Sequence, residues 1–191
     1  AAEQGLIEPV LVGDAASIRR IAEEIDWPLE AAEIVDVEDP EKAAERAAEI
    51  AGAGEAGALM KGHIHTDAFM KAVLRRESGL RTDRRLTHIF HMSVPDRERT
   101  LLISDAAINV KPEPETMMHI IRNAVALAHA LGNEEPRVAL LSATEDAIDS
   151  MPSSVVAAAL AERAKTEVPG ALVHGPLAFD NAVSPEAAEI K

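Results

Sequence analysis

The chain has 191 residues, 47% of them hydrophobic, which is enough for a packed core and argues against a disordered chain. Aromatic residues make up 2%, which argues against base-stacking platforms for single-stranded nucleic acid. Net charge is −14 and cysteine is absent, so a thiolate nucleophile, a disulfide framework and cysteine-ligated zinc are excluded.

The charge is uneven. Residues 1–60 carry 15 acidic and 4 basic side chains, a net of −11. Residues 71–85 carry Lys71, Arg75, Arg76, Arg81, Arg84 and Arg85 against Glu77 and Asp83, a net of +4. An acidic protein with one local basic stretch fits a small anionic ligand better than a nucleic-acid backbone. The structural alternative is a solvated helix face. No signal peptide or apolar run of spanning length appears, so the sequence predicts a cytoplasmic protein without a membrane partner.

In chain order, AAEQG reads as the tail of a helix ending at Gly5. Pro9 to Val12 is β-rich, and Asp14 can cap a helix over 15–25 with Ile18, Ile21 and Ile25 on one face. Trp27-Pro28 ends it, and the lone Trp reads as packing. Ile34 to Val37 is a second strand. Asp39-Pro40 starts a helix running to Ile50, and Gly52 and Gly54 break it.

Ala58-Leu59-Met60 reads as a third strand and Gly62 as a breaker. Thr66 reads as an N-cap, and Phe69, Val73 and Leu74 recur at helical spacing to about residue 76. A helix N-terminus aims unpaired N–H groups and the positive end of the macrodipole at one spot. Lys61, His63 and His65 stand there, so the stretch predicts an anion site. Strand and helix alternate three times, which predicts parallel strands with crossover helices.

The pattern then changes. Leu86 to Val94 and Thr100 to Ser104 read as an antiparallel hairpin across a polar turn at Pro95-Asp96-Arg97-Glu98. A boundary near 77–82 divides residues 1–78 from 79–191, two α/β domains, the second with the hairpin. Pro112 and Pro114 introduce a helix over 115–131, ended by Gly132. Arg137 to Leu141 is a strand, Pro152 to Ala164 a helix, and Ala171 to Val173 a strand. Pro185 to Lys191 reads as the start of another helix. The predicted chain is therefore α/β and cut through an element at each end.

Ligands in open α/β sheets sit at the turns after the strands. Those turns offer Lys61, Gly62, His65 and Thr66, then Ser104, Asp105 and Asn109, then Ser142 and Thr144, then Gly175, Pro176, Asp180 and Asn181. The same residue types also serve as caps and turn formers. His63 and His65 are two apart and His88 and His91 three apart, but no Cys or Glu completes a zinc pattern, so no metal is assigned. His88 reads as a core histidine. GxGxxG, GxxxxGK[ST] and GxSxG are all absent.

The segments LMKGHIHTDAFMKAVL, GLRTDRRLTHIFHMSVP, LLISDAAINVKP, NAVALAHALG, PRVALLSATE and GPLAFDNAVSPEAAEIK follow one another in this order. Together they resemble the phosphate acetyltransferase and phosphate butyryltransferase family. The butyryltransferase-like branch is the nearer one, including the branch that fuses this domain to an enoyl-CoA hydratase-like domain. The resemblance implies acyl transfer between CoA and inorganic phosphate. It implies the two-domain, three-layer architecture of isocitrate and isopropylmalate dehydrogenases, with the active site in the interdomain cleft. It also implies a homodimer and no bound cofactor or metal, CoA and acyl phosphate being substrates.

In the implied reaction a carboxylate deprotonates the CoA thiol, which attacks the acyl phosphate directly in a ternary complex. The departing phosphate is held by basic groups and helix-terminal N–H groups. Lys61, Gly62, His65 and Thr66 would position the anion, and Arg81 would contact phosphate or CoA. Asp105, Asn109, Ser142 and Asn181 would line the cleft, and Asp180 is the base candidate. The family's usual base, however, lies in a segment following EIK. The alternatives are a non-catalytic CoA- or phosphate-binding or oligomerisation domain, and a dehydrogenase on the same fold.

Overall fold

The computed structural model describes residues 1–95 and 100–190. The chain divides into two compact units, Ala1–Asp83 and Arg84–Lys191.

The first unit begins with β1 (Val10–Gly13), α1 (Ala15–Glu24) and β2 (Glu33–Asp36). The two strands pair in parallel, Val10 opposite Glu33 and Gly13 opposite Asp36. Two carboxylates start α1. Asp14 accepts from the Ser17 N–H and Asp36 from the Ala15 N–H, both at 2.9 Å. Together they satisfy donors that the first helical turn leaves open and place negative charge at its positive end. α2 (Pro40–Gly52) begins as its sequence predicts, with Asp39 accepting from Lys42 N–H at 2.8 Å and Pro at the first helical position.

Beyond α2 the structure departs from the sequence reading. Ala58, Leu59 and Met60 form no strand, and Met60 is 89% exposed. Three apolar residues bounded by Gly57 and Gly62 bury too little to hold a ladder. α3 spans Thr66–Val73 only. Thr66 is its first helical residue, and His65 holds the cap position without a side-chain cap bond. The helix stops early because Ser78, which is buried, turns its hydroxyl onto the carbonyls of Val73 (2.9 Å) and Arg75 (2.8 Å).

In the second unit β3 (Ile89–Met92) and β4 (Leu101–Ser104) are antiparallel, Phe90 opposite Ile103 and Met92 opposite Leu101. Asp96, Arg97 and Glu98, expected in the connecting turn, lie outside the described residues. α4 (Pro114–Ala130), β5 (Arg137–Leu141) and α5 (Pro152–Glu167) follow. The strand expected to end at Val173 continues as β6 (Leu172–Leu177), parallel to β5. Gly175 permits this, because a Cβ there would lie 2.6 Å from Leu140 Cβ and 2.9 Å from the Leu140 carbonyl oxygen. Two short helices, α6 (Phe179–Val183) and α7 (Pro185–Ile190), close the described chain.

The core of this unit joins α4 to α5 through Met118, Ile121, Val125, Leu160, Ala164 and Val168, with Val138, Leu140 and Val173 of the strands packed on it. Burying a Leu such as Leu160 contributes about 2 kcal/mol. An ion cluster borders the same helix pair. Arg163 takes both oxygens of Glu115 and both of Glu167, and Arg122 also bonds Glu167. Among the described residues no helix is long and apolar enough to cross a membrane.

Candidate functional site

In the first unit, Lys61, Gly62, His65 and Thr66 form an exposed turn leading into α3. Lys61 Nζ donates to the Ile64 carbonyl at 3.1 Å, and the Ile64 N–H donates to the Gly62 carbonyl at 3.0 Å. The ammonium is thereby drawn over the turn that precedes the helix N-terminus. It has three donors, so the bond to Ile64 leaves capacity for an anion. Arg81 is exposed in the stretch beyond Gly79. Arg75 is different. Glu45 bonds it and Glu77 pairs with it at 3.5 Å, and the bond to Glu45 raises its pKa above the ordinary value. It ties this part of the chain to α2.

In the second unit, Asp105 and Asn109 follow β4 and hold each other. The Asp105 carboxylate accepts from the N–H groups of Ala107 and Ile108 at 3.0 Å, from Asn109 Nδ2 at 2.6 Å and from the His88 N–H at 3.2 Å. Partial burial pushes its pKa up. The bonds from Ile108, Ala107, Asn109 and His88 outweigh it, and the value falls to about 2. A carboxylate so engaged is a poor proton acceptor near neutral pH.

The stretch it grips is the entry to β3. Asn109 Nδ2 also donates to the Leu86 carbonyl at 3.1 Å, and Ser104 Oγ donates to the His88 carbonyl at 2.8 Å. From α4, Asn123 Nδ2 donates to the Arg85 carbonyl at 2.9 Å and to Thr87 Oγ1 at 3.0 Å. Residues 85–88 are thus fixed from two sides. His88 itself stands edge-on to Phe90, ring centroids 4.4 Å apart, with Nδ1 buried and without a hydrogen-bond partner among the described residues.

β5 and β6 run parallel, so the residues after them share one end. Ser142 follows β5. Its N–H donates to the Leu177 carbonyl at 2.8 Å, and its hydroxyl lies 3.0 Å from Ser153 Oγ and 3.3 Å from Met151 Sδ. Asn181, in the helix after β6, donates Nδ2 to Glu145. Asp180, in the first turn of α6, is exposed. The structure therefore brings Ser142 and Asn181 to the same sheet end, and Asp105 to Asn109. Lys61, Gly62, His65, Thr66 and Arg81 belong to the first unit.

Thr87, Asn123, Glu145 and Ser153 are not singled out by the sequence. Asn123 carries no sequence signal that separates it from the other polar residues of α4, Glu115, His119, Arg122 and His129. Among the described residues no group of three or more His, Asp or Glu side chains is placed to hold a metal ion.

The fold is that of phosphotransacylases. A branched-chain phosphotransacylase from Enterococcus faecalis matches with a TM-score of 0.80 at 28% identity, over 96% of this chain and 73% of that one. A phosphotransacetylase from Staphylococcus aureus shares the fold, with a TM-score of 0.75 at 20% identity over 96% of this chain and 64% of the other.

The family model described as "Phosphate acetyl/butaryl transferase" matches residues 41–191, and the chain belongs to that family. A phosphate acetyltransferase of Rhizobium meliloti is 47% identical over 192 residues, covering all of this chain and 61% of the relative. A phosphate butyryltransferase of Clostridium beijerinckii is 40% identical over 192 residues, covering all of this chain and 64% of the relative. The chain thus spans less than two thirds of the length of these curated relatives.

Proposed function

We propose that this protein moves an acetyl or short acyl group between CoA and inorganic phosphate. The observation that carries the reading is the 47% identity, over the whole chain, to a protein named phosphate acetyltransferase. The CoA thiol attacks the acyl phosphate directly, and phosphate leaves. No protein nucleophile is needed, so a chain without cysteine suffices.

In this reading Lys61, Gly62, His65 and Thr66 position the anionic group and Arg81 contacts phosphate. Ser142, Asn109 and Asn181 contact CoA. Asp105 holds the β3 entry in place, which leaves Asp180 as the thiol base from this chain. The architecture in this reading is the two-domain, three-layer arrangement of isocitrate and isopropylmalate dehydrogenases, with residues 1–78 in one domain and 79–191 in the other. We place the protein in the cytoplasm, working as a homodimer and without a bound cofactor.

The test is phosphate-dependent release of free CoA from acetyl-CoA, followed with a thiol reagent. The protein contributes no thiol background. Release that rises and saturates with phosphate supports the reading. Release that ignores phosphate overturns it in favour of hydrolysis.

A further inference from the structure

We infer that Glu145 is a positioning residue for Asp180, holding α6 against the end of the β5–β6 pair through Asn181. The inference rests on the reading above, in which Asp180 is the thiol base. α6 has five residues, none of them buried, and its Phe179 is 53% exposed. The next helix, α7, has no buried residue either. A helix of this length is unstable on its own, and apolar packing does little to hold it here. The Asp180 side chain makes no hydrogen bond among the described residues. Its carboxylate is therefore only as well placed as the helix that carries it.

The hold comes from the neighbouring loop. The loops after β5 and β6 are joined at their base, where the Ser142 N–H donates to the Leu177 carbonyl at 2.8 Å. Further along, Asn181 Nδ2 donates to Glu145 Oε1, a bond across 36 residues. Asn181 directly follows Asp180, so what fixes one fixes the backbone of the other. A carboxylate only accepts, and Asn181 has to turn its nitrogen to Glu145. Asn181 Oδ1 is thereby left buried and without a partner among the described residues. An unpaired buried acceptor is costly, and the charge-assisted bond to Glu145 offsets that cost. The Glu145 turn is itself braced, since the Asp146 N–H donates to Thr144 Oγ1 at 3.2 Å.

Hydrogen exchange and steady-state kinetics of the 191-residue chain test this. Glu145→Ala is expected to speed exchange of the Ala182 and Ser184 N–H groups, which bond the Ala178 and Asp180 carbonyls, and to leave the β5–β6 amides unchanged. Equal exchange at α6 in the two proteins overturns the inference. With acetyl phosphate and CoA, Glu145→Ala is expected to lower kcat about tenfold with the KM for acetyl phosphate unchanged, because it displaces the base. Glu145→Gln keeps the accepting oxygen and drops the charge, so it is expected to recover most of that loss. A Gln variant as slow as the Ala variant overturns the inference, because the charge then acts and the hydrogen bond does not. Added to Asp180→Asn, Glu145→Ala is expected to cost nothing further, since both act through one carboxylate. Fully additive losses overturn the inference. An unchanged kcat in Asp180→Asn removes the base assignment and this inference together. If the wild type forms no thioester, the acyl-transfer reading and the role of Asp180 fall, and the exchange rates still show whether Glu145 holds α6.

Discussion

Gly52 and Ser78 touch backbone to backbone. A Cβ built on Gly52 would lie 1.6 Å from the Ser78 carbonyl oxygen. The last residue of α2 is therefore a glycine because the 76–79 turn packs directly on its Cα. Ser78 then closes the end of α3 with its hydroxyl and accepts from the Leu80 N–H at 3.3 Å. Gly52→Ala is expected to destabilise the first unit by roughly 2 to 4 kcal/mol, since both clashing atoms are backbone and cannot rotate away. Ser78→Ala is expected to cost about 1 kcal/mol through the lost hydroxyl bond to the Val73 carbonyl, since the Arg75 carbonyl still accepts from the residue 78 N–H. Thermal melts of the two variants check this, and an unchanged midpoint for Gly52→Ala would contradict the packing.

Asp105 should make stability depend on acid. Its carboxylate sits at about 2 in the folded protein against an ordinary 3.8. A depressed carboxylate contributes stability that is complete above the unfolded pKa and is lost as pH falls through the folded one. The window is therefore about pH 4 down to pH 2, and the contribution, discounted for solvent screening, is on the order of 1 kcal/mol. Asp105→Asn should be less stable at neutral pH, because a new amide N–H would face the Asn109 amide. It should also show a flatter loss of stability between pH 4 and 2. Urea titrations at several pH values separate the two proteins, and parallel curves would show that Asp105 is not the titrating group.

Much of the fold was legible because its signals are local. Asp14, Asp39 with Pro40, and Pro114 each mark a helix start within a few residues of the helix they open. The hairpin and β5 follow from short apolar runs of the right length. The 58–60 stretch misled because an apolar tripeptide carries no information on whether a neighbouring strand will bury it. The end of α3 was hidden in Ser78, a residue five positions beyond Val73 that looks like any turn serine. At the candidate site, the polar residues after β4, β5 and β6 could be named from sequence. The network around 85–88 could not, since Asn123 reaches Arg85 across 38 residues and Asp105 reaches His88 across 17.

The α4–α5 ion cluster predicts salt sensitivity. Arg163 is raised above its ordinary pKa first by its bond to Glu115 and then by its bond to Glu167. Glu167 is lowered by the same arginine. Added salt should lower the melting temperature of the wild type relative to Arg163→Met, because it screens this partly exposed cluster, while the self-repulsion of a chain of net charge −14 is screened in both proteins. Arg163→Met should lower the midpoint at low salt, and the gap to the wild type should narrow as salt rises. A variant that keeps the wild-type salt slope would show that the cluster contributes nothing to it.

Lys61 and Asp180 should separate kinetically. Lys61→Ala is expected to raise the KM for acyl phosphate about tenfold with kcat little changed, because it removes binding common to ground and transition states. Asp180→Asn is expected to lower kcat by about a hundredfold or more, the usual contribution of a general base. Steady-state kinetics with acyl phosphate varied at saturating CoA check both. A falling kcat for Lys61→Ala, or an unchanged one for Asp180→Asn, would reverse the roles.

Direct acyl transfer requires that acyl phosphate and CoA together yield thioester, and that product can be followed by its absorbance. Incubation with acetyl phosphate or butyryl phosphate plus CoA should produce thioester at a rate that saturates in both substrates and that Asp180→Asn suppresses. Consumption of acyl phosphate without thioester, or no reaction by a protein that binds CoA, would contradict it.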